Sequence, residues 1–222
     1  MSSAVIQLLV LAGVAVFLIL RLRNVLGTRE GFEKPPVAMP GQNDSSSKPR
    51  PDFEVIEGGP DRDITDHVEE DSAAAEALAA MKATDPDFAV GPFLEGARGA
   101  YEMILMAFES GDLEAVIPFL SNDVYDSFQE VIDLREQQKL TVEARFVGVR
   151  ELTLTDATYD ADTTEGDVTV RFVGELTSVV KNANGEIVEG NPNEIKRQRD
   201  VWTFSREMAS DNPNWKLVAT GG

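Results

Sequence analysis

The chain contains no cysteine and only one histidine among its 222 residues. The first absence removes disulfides, thiolate metal sites and cysteine nucleophiles together, and it fits a reducing compartment. The second leaves His67 as the sole imidazole, beside Glu70 and Asp71. A zinc site needs three or four ligands, so neither a metal nor a cofactor is expected. A phosphate-cradling glycine loop and a nucleophile elbow are missing as well. Positive charge is scarce: 20 basic residues face 39 acidic ones, for a net charge of −19. Such a chain repels phosphate backbones, so nucleic acid is not an expected partner. It also resists flat adsorption to anionic lipid, except where positive charge gathers locally.

What is present is unevenly spread. Residues 4–20 read AVIQLLVLAGVAVFLIL, interrupted only by Gln7 and Gly13. A bilayer core needs roughly 20 apolar residues, with about 17 as a lower bound, so this run qualifies as a spanning helix. Met1, Ser2 and Ser3 carry no basic side chain, whereas Arg21, Arg23 and Arg29 follow the run. That order is wrong for a cleaved secretory signal. By the positive-inside rule it leaves the C-terminal side in the cytoplasm or its organellar equivalent. Residues 1–29 are therefore expected to form a membrane anchor with a basic collar. Residues 30–63 hold six prolines and the run Ser45, Ser46, Ser47, and they read as a disordered acidic linker. Phe53, Val55 and Ile56 make an apolar island within it, either an unstructured bump or a docking motif.

Beyond the linker the pattern becomes periodic. Thr65 or Asp66 is a candidate cap for a helical extension over residues 64–84, alanine-rich and ended by Asp85-Pro86. Its apolar face (Val68, Ala75, Leu78, Met81) is thin, which suggests loose packing or a need for a partner. Phe93, Ala97, Tyr101, Ile104, Leu105 and Phe108 fall at helical spacing, closed by Gly111. Asp112 caps a short helix containing Pro118, and Ser121 caps another carrying Val124, Phe128 and Ile132. The period then drops to two: Val142, Ala144 and Phe146, later Val168, Val170 and Phe172, then Trp202, Phe204 and Arg206. Asn184-Gly185 is a hairpin signal. Helices followed by antiparallel strands indicate an α+β domain over residues 85–222, with helices covering one face of a bent sheet.

The segments PFLEGARGAYEMILMAFESGD, FLSNDVYDSF, VTVRFVGELTS, DVWTFSRE and PNWKLVAT occur in this order. Together they resemble the Tim forty-four-like domain family over residues 85–220. Phe93, Gly96, Ala97, Tyr101 and Phe108 match its first-helix signature; Asp200 to Phe204 and Pro213, Asn214 and Trp215 match its closing one. The resemblance implies a cone-like fold of the nuclear-transport-factor-two kind, with a groove between helices and sheet. It also implies an adaptor near a membrane, with a membrane protein complex or chaperone as partner and a phospholipid as a further one. The family's mitochondrial import-motor tether carries a long charged N-terminal region that is not seen here, and the arginine-rich pattern of a transit peptide is not seen either. A bacterial inner (cytoplasmic) membrane protein, single-pass with a cytoplasmic domain, is the location this implies.

Candidate site residues follow. The groove set is Phe93, Ala97, Tyr101, Leu105, Phe108, Trp202 and Phe204, which either line a partner-binding groove or form core. Lys196, Arg197 and Arg199 form the most basic cluster of an acidic domain: a solvated strand end, or a contact for a lipid headgroup or acidic partner. No catalytic residue is expected. Of two competing readings, a ribosome-proximal insertion factor needs basic surface, which the acidic balance opposes; the other is a cavity enzyme of the isomerase or dehydratase type. There a buried carboxylate (Asp123, Asp126 or Asp200) would abstract a proton while Tyr101, Tyr125 or Tyr159 stabilised an oxyanion.

Overall fold

Between Gln137 and Thr141 the chain changes from helices to strands, as the change in hydrophobic period requires. The computed structural model describes residues 60–221. The expected spanning segment, the linker and the flanking arginines Arg21, Arg23 and Arg29 lie outside them. Among the described residues no helix is long and apolar enough to cross a membrane.

The helical part comprises α1 (Arg62–Thr65), α2 (Ala73–Thr84), α3 (Val90–Ser110), a 3-10 turn (Glu114–Phe119) and α4 (Asn122–Gln137). The start of α2 differs from the sequence reading. Asp61, not Thr65 or Asp66, caps α1, and Ser72 caps α2 by accepting from the Ala75 amide at 3.1 Å. Ser72 Oγ also donates to the Glu69 carbonyl, and this local bonding breaks one expected helix into two. Nor is α2 loosely attached. Leu78 and Met81 have no exposed surface, and Tyr159 from the sheet bonds Thr84 at 2.7 Å. Burying both side chains fully contributes about 1.5–3 kcal/mol each.

The sheet contains β1 (Thr141–Asp160), β2 (Glu165–Lys181), β3 (Ile187–Gly190), β4 (Lys196–Glu207) and β5 (Lys216–Gly221). All pairings are antiparallel, in the order β1-β2-β4-β5, and β3 continues the β4 side of β2. The hairpin signal at Asn184-Gly185 is realised between β2 and β3. The 20 residues of β1 oppose the 17 of β2, and three bulges, at Val147, Arg150 and Thr155, take up the difference. Bulges bend a strand and increase its twist. The inner face of the sheet therefore curves around the helices, and the core fills the space between. The architecture is α+β, with helices packed on an open, bent antiparallel sheet.

Candidate functional site

Helix α3 organises both ends of the interior. Its N-terminal amides receive no side-chain cap from Ala89. Instead Asp63 reaches across from α1, accepting from the Val90 amide at 2.8 Å and the Gly91 amide at 2.9 Å, and pairs with Lys82 of α2 at 3.0 Å. Burial alone would raise the Asp63 pKa. The two amides and the ammonium more than offset that, so the carboxyl titrates below its usual 3.8. At the other end Gly111, with φ of 77°, closes α3 in the left-handed conformation.

In the first half of α3 the packed rings leave a groove of about 470 Å³. Phe93 lies 4.6 Å from Trp215 and 6.0 Å from Phe204 between ring centroids, and Phe88 lies 5.7 Å from Trp215. Gly96 and Gly99, with open space where a Cβ would stand, form its helical lip, and Asp87 and Glu95 are exposed beside it. Arg206 pairs with Asp85, lies over the Trp215 ring at 5.3 Å, and leaves its buried Nε–H without a partner. The groove is thus an aromatic trough with small residues on one wall and an acidic rim. That combination suits an apolar segment more than a small polar substrate.

The second half of α3 is filled. Tyr101, fully buried, stacks on Phe172 with centroids 4.4 Å apart and planes 8° from parallel, and tilts against Trp202 at 4.8 Å. Its hydroxyl donates to Asp200 Oδ2 at 2.5 Å, and Gln198 donates to the other carboxylate oxygen at 3.1 Å. Burial, reinforced by the neighbouring carboxylate, pushes the Tyr101 phenol far above its usual 10. Gly174 leaves room for this hydroxyl: a Cβ there would lie 2.6 Å from Tyr101 Oη.

The sequence-derived set is therefore divided. Phe93, Ala97 and Phe204 line the groove; Tyr101, Leu105 and Trp202 are buried core; Phe108 lies half-buried against Phe128 and beneath Arg135. Phe119, Met103 and Arg206 also line the groove and were not singled out as site residues by sequence reasoning. Trp215 was legible in the closing signature, but its place opposite Phe93 was not. The basic cluster is divided too. Lys196 shares the inner-face parity of Trp202, while Arg197 and Arg199 alternate to the outer face. Of the enzyme candidates, Tyr101 and Asp200 do meet, but Asp123 and Asp126 are on α4, on exposed positions. His67 is exposed, and among the described residues no cluster of histidine and carboxylates could hold a metal.

The Tim44-like domain model matches residues 74–222. The chain belongs to the Tim44-like domain family. Among curated Tim44-like relatives, the probable mitochondrial import inner membrane translocase subunit tin-44 of Caenorhabditis elegans is 29% identical over 120 residues, covering 52% of this chain and 27% of that protein. The mitochondrial import inner membrane translocase subunit TIM44 of Homo sapiens is 26% identical over 148 residues, covering 65% of this chain and 32% of that protein. The chain thus spans about a third of the length of these Tim44-like relatives or less. A solved structure, the intermembrane space region of chloroplast protein ARC6, aligns with a TM-score of 0.38 and 14% identity over 58% of this chain and 94% of that one.

Proposed function

We infer that the protein is a membrane-anchored adaptor of the translocation type, whose Tim44-like domain docks an apolar segment of a membrane protein complex or chaperone in the groove along the first half of α3. The relatives are named as import translocase subunits. The single observation that carries the site is the trough itself. Phe88, Phe93, Phe204 and Trp215 surround about 470 Å³ that the chain's own described side chains leave open, against a glycine lip that allows close backbone approach. The reading includes a single-pass anchor at residues 4–20 in a bacterial inner membrane, a cone-like nuclear-transport-factor-two-type fold, and an acyl chain as a further occupant of the trough. The cavity-enzyme reading is weaker. The Tyr101 hydroxyl is already committed to Asp200, and its ring is stacked on Phe172.

The test places a photo-crosslinking residue at Gly99, where the structure leaves open space, in the intact protein and in a version lacking residues 1–29. Crosslinks to the same membrane-complex or chaperone protein, abolished by the deletion and weakened by Trp215→Ala, are the expected result. Crosslinks that are unchanged by both alterations, or that never form, would remove the adaptor reading.

A further inference from the structure

Only 14 of the 47 charged residues between positions 60 and 222 are basic. Five of those 14 converge on one surface. Pairing places Arg145 opposite Thr177, Arg171 opposite Thr153 and Val201, Arg197 opposite Glu175, and Arg199 opposite Val173. All of these partners have outer-face parity, away from the core. The bulge residue Arg150 joins them by reaching Glu175 at 3.4 Å, while Arg197 bonds the same carboxylate at 3.0 Å. Three adjacent strands thus carry an arginine band about 10 Å across, given a strand spacing of ~4.8 Å. The five side chains are exposed, and among the described residues Arg145, Arg171 and Arg199 form no ion pair within 4.0 Å.

Free guanidinium groups gathered on an acidic domain are informative because acids to neutralise them are abundant in the chain. Each presents a planar fork suited to a carboxylate. The occupant is a narrow one. A broad anionic membrane would meet the repulsion of the whole acidic domain, whereas a peptide can lie along the band alone. Glu151 and Glu175 interrupt the positive charge within the band, which also favours discrete carboxylates over a continuous anionic plane.

We propose that the outer face of the sheet, through Arg145, Arg171 and Arg199 with Arg197 and Arg150 beside them, is a docking surface for an acidic peptide segment of a partner protein. It lies on the opposite side of the sheet from the aromatic trough, so either surface can fail without the other.

The experiment uses the intact protein in neutral phosphatidylcholine nanodiscs and a fluorescein-labelled oligoglutamate peptide, read by fluorescence anisotropy. Wild type binds the peptide, and the complex dissociates as added salt screens the contact. Arg145→Gln, Arg171→Gln and Arg199→Gln each weaken binding about two-fold and together roughly ten-fold or more, while Lys196→Gln on the inner face leaves it unchanged. Circular dichroism shows whether the triple variant keeps its fold. If it does not, the wild-type result still decides, since an acidic chain without this surface would repel the probe. Absence of wild-type binding, equal binding by the folded triple variant, or an equal loss in Lys196→Gln overturns the proposal. So does binding to phosphatidylglycerol vesicles with none to the peptide, which would make the face a lipid surface.

Discussion

The two halves of α3 face the same sheet and solve opposite problems. Around Tyr101 every neighbour is chosen to occupy space: a stacked ring, a tilted indole, an acceptor for the hydroxyl, and a glycine that makes way for it. Around Phe93 the rings meet at their edges and stop short of closing, and glycines look outward instead of inward. The same helix thus has a filled end and an open end. The ends are also held differently, one by packing and the other by the Asp63 carboxylate at the helix terminus.

The largest effect should come from emptying the closed half. Tyr101→Ala is expected to lower stability by about 3–5 kcal/mol in urea denaturation, because the surrounding rings cannot collapse into the space. A loss under ~1 kcal/mol would mean that this half is no better packed than the other. Overfilling comes next. Gly174→Ala should destabilise by about 1–3 kcal/mol, since the added methyl meets the Tyr101 hydroxyl. At the open end Asp63→Asn should cost about 1 kcal/mol, because only one of the two oxygens that accept from the Val90 and Gly91 amides remains an acceptor. Because the Asp63 pKa is depressed by folding, its contribution is present above the unfolded value of 3.8 and is lost as pH falls through the lower folded value. The urea midpoint of wild type should therefore drop in that acid window, and that of Asp63→Asn should drop less. The smallest effect has the opposite sign. Gly96→Ala adds a methyl to a helix where nothing lies within 4 Å, and should stabilise by up to ~1 kcal/mol while narrowing the trough. If both glycine substitutions shifted stability the same way, the division of α3 would not hold.

Class and order of elements were legible because period and turn chemistry report local geometry. Ser121 caps α4 with its hydroxyl 3.3 Å from the Val124 amide, and Val168, Val170 and Phe172 are all fully buried on one side of β2. Depth along a helix is not a local property. The stripe from Phe93 to Phe108 gives the inward face of α3, but only the tertiary structure decides that Phe93 borders a void while Tyr101 fills one. Register was equally hidden. Arg145, Arg150 and Arg171 lie far from Arg197 and Arg199 in sequence, and strand pairing alone gathers them. In β1 the simple alternation read at Val142, Ala144 and Phe146 is broken at each bulge. The inward residues continue as Val149, then Leu152 and Leu154, then Ala157 and Tyr159, switching between even and odd positions three times.

Those bulges also make the length of β1 a variable that can be edited. A one-residue deletion in a regular strand turns every following side chain inside out until something restores the phase. In β1 the unpaired residues Val147, Arg150 and Thr155 are slack. Removing Val147 leaves the pairing on both sides as it was and takes away a bend; removing Arg150 or Thr155 also takes away a bond, to the Glu175 carboxylate or the Thr169 carbonyl. A deletion nearby needs to slip no further than the nearest bulge before the original phase returns. Insertions and deletions at these three addresses change curvature before they change phase, and curvature is what sets how far the sheet wraps around α3.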